Sequence, residues 1–151
     1  MCIRDREKCG TLNACMVVDA EHSSSGEVIY VSEADVAQIL KAKAAIYAGM
    51  KTLLRVRNKR FADIKRLCLA GGFARHIDLA NAISIGLLPR IPLNRVDVIG
   101  NGSLAGAMLA LVDADAMNAY QTVAKLPDVV ELSRVESFEN DFIDALALPN
   151  L

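Results

Sequence analysis

Residues 33–57, "EADVAQILKAKAAIYAGMKTLLRVR", constrain the fold most. Val36, Ile39, Leu40, Ile46, Met50, Leu53 and Leu54 recur at helical spacing. Ala37, Ala44, Ala45 and Ala48 form a second, small-residue face. The pattern predicts one helix from 33 to about 57, packed on more than one side. Ser32 is suited to cap it, with Glu33 and Asp35 placing negative charge in the first turn.

Strand-like and helix-like segments alternate around this helix. "VIYV" predicts a strand at 28–31, and "IKRLCLA" a strand at 64–70 entering the core. A short helix is expected over 77–86, with Asp78 as cap and Gly86 as stop. A strand at 96–100, a helix over 101–120, a strand at 128–133 and a helix over 136–148 follow. Together they predict an α/β sheet covered by helices. In the last helix, Glu136, Glu139, Asp141 and Asp144 read as a solvated face. The basic stretch 55–66 reads as a solvated helix end rather than a nucleic-acid patch.

Residues 1–26 show neither periodicity and read as an irregular N-terminal arm. "MCIRDR" looks like a translated adaptor joined to an interrupted reading frame, so a piece of a longer protein is expected. A short native arm is the alternative. Residues 27–151 are expected to form the folded lobe. A hydrophobic fraction of 53% over 151 residues is ample for one core. The net charge of −1 gives no electrostatic reason to expect nucleic acid. No apolar run approaches a membrane span of roughly 18 residues, and no signal-peptide core is present, so a cytoplasmic protein is expected. Cys2, Cys9 and Cys15 fit neither zinc nor iron–sulfur spacing, and Cys68 reads as a small core residue.

Two glycine-rich turns are the chemically suggestive features. "LCLAGGFARHI" ends a strand on Gly71-Gly72, and "VIGNGSLAGA" ends one on Gly100-Asn101-Gly102-Ser103 before a helix. Glycine removes Cβ and permits positive φ, so another group can approach the backbone. Ligands of open α/β sheets lie at such strand ends. Neither stretch is a dinucleotide fingerprint or a P-loop. For a lone Gly-Gly, a tight turn with nothing bound is the favoured reading. Gly102 and Gly106 share one helix face, which suits close packing. No catalytic set and no metal-ligand cluster is visible.

The order of "AKAAIYAG", "LAGGFARHID", "AISIGLLP", "VIGNGSLAGA" and "ELS…F…FIDALALP" resembles the C-terminal ATPase-like domain of the reductive activators of corrinoid-dependent enzymes. That family is similar to the acetate and sugar kinase, heat-shock chaperone and actin superfamily. The resemblance implies an actin-like, ribonuclease H-like lobe. It implies nucleotide binding, as ATP with Mg2+, at Gly71, Gly72, Phe73 and Lys43. It also implies an interlobe hinge with close packing at Asn101, Gly102, Ser103 and Gly106. Whole family members resemble an electron-supplying [2Fe–2S] domain, a linker and this ATPase. They return Co(II) corrinoid to Co(I), with a corrinoid protein or methyltransferase and an electron donor as partners. Neither the cluster cysteines nor a phosphate-binding hairpin is visible in this sequence, so only the adenosine and hinge portions are expected here, without catalytic residues. The alternatives are another ATPase of the superfamily, such as an acyl-CoA dehydratase activator, or a non-catalytic protein-binding module.

Overall fold

The computed structural model describes residues 6–9 and 12–149, with side chains from residue 13. Strands β1 (Arg6–Cys9), β2 (Leu12–Val18) and β3 (Ile29–Ser32) form an antiparallel sheet in the order β1-β2-β3. Cys9 lies opposite Leu12, and Cys15 opposite Val31. The irregular arm expected over 1–26 is therefore corrected over these strands. Local alternation missed them because strand formation depends on partners more than on intrinsic pattern. Here β2 pairs on both sides, Ala14 is buried, and Asn13 Nδ2 donates to Glu33 Oε1 at 3.0 Å.

Helix α1 (Glu33–Val56) begins where expected. Ser32 Oγ accepts from Asp35 N–H at 3.2 Å, and Asp35 Oδ2 accepts from Ser32 N–H at 2.9 Å, a reciprocal capping box. Ser32→Ala should lower unfolding stability by about 1 kcal/mol, the usual loss for such a cap. Denaturant melts of the two proteins would measure it.

Of the small-residue face expected on α1, Ala44 and Ala48 are buried, together with Gly49 and Thr52, whereas Ala37 and Ala45 are exposed. The helix packs against α6 (Phe138–Leu146). The larger apolar face is not enclosed: Val36, Ile39, Ile46 and Leu53 remain substantially exposed. Small residues win because they let two helix axes come close.

Strands β4 (Leu67–Ala70) and β5 (Val96–Gly100) form a separate two-stranded parallel sheet. Between them lie α2 (Gly72–His76) and α3 (Leu79–Ser84). Asp78 Oδ1 accepts from Asn81 N–H at 2.8 Å, the expected cap, and Gly86 turns at φ +77°. The α/β alternation stands, but the sheet is in two pieces and the second is poorly covered. Cys68 is exposed, against the expectation of a core residue.

The helix expected over 101–120 is two helices, α4 (Gly102–Val112) and α5 (Ala116–Val123). Asp113 Oδ1 takes the N–H of Asp115 at 2.9 Å, and this local bond ends the first helix. The strand expected at 128–133 is absent; a 3-10 turn forms at Leu132–Arg134. Pro127 has no N–H for a ladder, and Val129 is almost fully exposed.

Candidate functional site

Parallel pairing of β4 with β5 brings both glycine turns to one edge. Ala70 lies opposite Gly100, and Gly71 N–H donates to Gly100 O at 2.6 Å. The positive φ values fall on Gly71, at +106°, and Gly100, at +71°. Both conformations are strained for any other residue. A Cβ built on Gly71, Gly72, Gly100 or Gly102 would meet nothing within 4 Å. The backbone at this edge is thus open to another molecule, and internal packing does not demand glycine at 72 or 102.

Side chains around this edge have distinct positions. Phe73 is 77% exposed beside Gly72. Asn101 caps α4, its Oδ1 accepting from Leu104 N–H at 3.0 Å. Gly102 and Ser103 are exposed in the first turn of that helix. At Gly106, Tyr120 from α5 donates its hydroxyl hydrogen to the backbone carbonyl O at 2.6 Å. A Cβ there would stand 3.7 Å from that hydroxyl, an ordinary contact.

Lys43 is held by the end of α6. It is 2% exposed, and its Nζ donates to Ala145 O and Ala147 O, each at 2.7 Å. Those carbonyls belong to the C-terminal end of α6, where a cation relieves both unpaired acceptors and the helix dipole. Burial pushes the pKa of its ammonium down. Lys43 also lines a cavity of about 510 Å³, together with Tyr47, Phe61, Arg90, Asp144 and Leu148. The structure joins Gly71, Gly72 and Phe73 to Asn101, Gly102 and Ser103. It gives Lys43 a structural bond to another element.

Sequence reading also missed Asp141. Read as solvated, it is 4% exposed against α1. Lys51 Nζ lies 2.8 Å from Oδ1, Arg55 NH2 3.1 Å from Oδ1 and Arg55 NH1 2.7 Å from Oδ2. Burial raises the pKa of this carboxyl, but the hydrogen bonds and charges of Arg55 and Lys51 together outweigh it and hold it below the usual value. A signal existed. Phe138, Asp141, Phe142 and Ala145 are spaced i, i+3, i+4 and i+7, which puts the acid on the apolar face.

Residues 3–151 match the family model described as the C-terminal domain of RACo, the ASKHA domain. The chain is 32% identical over 127 residues to the corrinoid activation enzyme RamQ of Eubacterium limosum. That match covers 84% of this chain and 21% of the relative. It superposes on a solved reductive activator for corrinoid, iron–sulfur protein with a TM-score of 0.88 and 32% identity, over 97% of this chain and 23% of that one. The chain thus spans about a fifth of the length of the relatives it matches.

Proposed function

Because this chain belongs to the family of the C-terminal ASKHA domain of RACo, we propose that it is the rear lobe of an ATP-dependent reductive activator. In that reading the whole protein returns Co(II) corrinoid to Co(I). The observation that carries the proposal is the likeness to a corrinoid reductive activator along nearly the entire chain. ATP hydrolysis would supply the driving force for reaching a strongly reducing cobalt state. Electrons would come from a [2Fe–2S] domain outside these residues, and the acceptor would be a corrinoid protein or methyltransferase.

This chain's share is binding and positioning. The glycine edge fits an adenosine: Gly71 and Gly72 offer backbone without Cβ, and the space over Gly72 is open. Gly71 N–H is already bonded to Gly100 O, which fixes the two turns against each other. Phe73 stands exposed beside them, available to lie on a planar ring. Phosphoryl transfer is mostly positioning and electrostatic stabilisation of phosphates. Those groups would come from the missing part, so the 151 residues alone should not turn over ATP.

Gly72→Val tests the adenosine placement. The position has no positive φ and no neighbour within 4 Å of a Cβ. Folding should therefore change little, by less than about 1 kcal/mol, a helix-propensity effect. A branched side chain would still fill the space above the backbone. Titration of a non-hydrolysable ATP analogue into the relative carrying this chain in place of its matching segment should show roughly a tenfold or greater loss of affinity, worth ~1.4 kcal/mol. Unchanged affinity in folded Gly72→Val protein would remove the adenosine from this edge.

A further inference from the structure

We propose that the cationic cleft at the C-terminal end of α1 binds a phosphate-bearing anion. The glycine edge takes no part in it. Residues 55–66 hold six Arg or Lys against one acid, Asp63. After Val56 the chain reverses. Asn58 takes φ +53°, which asparagine tolerates better than most residues, and Lys59 N–H donates to Leu54 O at 2.8 Å. The reversal sets Lys59 and Arg60 with Lys51 and Arg55, from the end of the helix, around a cavity of about 310 Å³. Tyr47 and Phe61, their ring centroids 5.1 Å apart, line it as well.

The carboxylates nearby do not balance these four cations. Asp141 is shared by Lys51 and Arg55, and both are held on it. Asp63 reaches Arg60 Nε only at 4.0 Å. Among the described residues Lys59 has no carboxylate within 4.0 Å. Once Asp141 and Asp63 are counted, two positive charges remain, which matches a phosphate dianion better than a single carboxylate. Like charges gathered against aromatic walls attract an anion more strongly than they would in open water. Lys59 and Arg60 are exposed and left to meet it. They combine a rotatable ammonium with a planar guanidinium, both suited to phosphate oxygens. The cavity is at the small end of ligand sites, which suits phosphate, pyrophosphate or the phosphate end of a larger molecule.

The test is calorimetric titration of inorganic phosphate and of pyrophosphate into the 151-residue chain. Ionic strength is held constant with chloride, because screening alone weakens exposed charges. Both anions should bind. Lys59→Glu with Arg60→Glu should weaken pyrophosphate binding by roughly tenfold or more. Both side chains are exposed, so the double variant should fold as the parent does. Where charge reversal upsets folding, Lys59→Gln with Arg60→Gln carries the same test. A control of equal charge change, Lys41→Glu with Lys125→Glu, should leave affinity nearly unchanged. Tighter binding of pyrophosphate identifies a phosphate chain as the ligand, and equal binding a single phosphate group. Absence of binding, or equal loss in the two Glu double variants, overturns the proposal. So does binding that survives Lys59→Glu with Arg60→Glu and is lost in Gly72→Val, which would move the phosphate to the glycine edge. No readout involves ATP hydrolysis or cobalt, so failure here is distinct from failure of the activator reading.

Discussion

Replacing both Lys51 and Arg55 by Met should destabilise the fold by about 3 kcal/mol, at the low end for stranding a buried charge. Asp141 would keep its place on the face of α6 packed against α1 and lose both cations that justify its ionisation. The figure stays at the low end because the cations are partly exposed, at 39% and 45%, so water can reach the edge of the site. Asp141→Asn should cost less, since no buried charge is then left alone. Ionised Asp141 is favoured in the folded state, its pKa being held below the usual value by Arg55 and Lys51 against the opposing effect of burial. Its contribution is therefore fully present above the unfolded value near ~4 and is lost as pH falls through the lowered folded value. The double variant should lose much of that acid dependence. Denaturant unfolding at neutral pH and at about pH 3 measures both effects. A double variant as stable as the parent at neutral pH would show that the cluster is incidental.

Lys43→Met should also destabilise the fold, by about 1–3 kcal/mol, because it leaves the part-buried carbonyls of Ala145 and Ala147 without this donor. Methionine keeps the length and apolar stem of the side chain, so the change isolates the ammonium. The bonds lost are those to Ala145 O and Ala147 O, which tie the middle of α1 to the end of α6. The expected readout is a lower denaturant midpoint together with faster exchange over 142–147. If stability is unchanged while nucleotide affinity falls, Lys43 acts on ligand as its family resemblance implies, and its structural assignment here is overturned.

These residues show where sequence reading succeeds and where it stops. The cap of α1 was legible because Ser32 and Asp35 are three residues apart, and a capping box is a local event. The glycine turns were legible for the same reason, each being a strand end joined to a helix start. That both turns meet was not legible, because it depends on the parallel register of β4 and β5 across about thirty intervening residues. Which glycine of the pair takes positive φ was not legible either; it is Gly71, whose N–H bonds Gly100 O across the two strands. Asp141 reads as solvated because a charged side chain looks so until a distant helix is known to cover it, and its partner Arg55 lies more than 80 positions away. The bonds of Lys43 to the end of α6 span a similar distance and were not legible for the same reason. The exposed apolar faces carry the opposite lesson. Periodicity finds the face, but what covers it need not lie within the same 151 residues.

The central claim is that this lobe serves ATP-driven corrinoid reduction, and cobalt spectroscopy addresses it directly. The Eubacterium limosum relative would carry this chain in place of its matching segment and be supplied with an electron donor and a Co(II) corrinoid protein. Absorbance would then follow the cobalt state with and without ATP. The account predicts reduction to Co(I) that requires both ATP and the grafted lobe, and that Gly72→Val suppresses. A folded graft that leaves Co(II) unchanged with ATP present, or that reduces it equally well without ATP, would contradict the account.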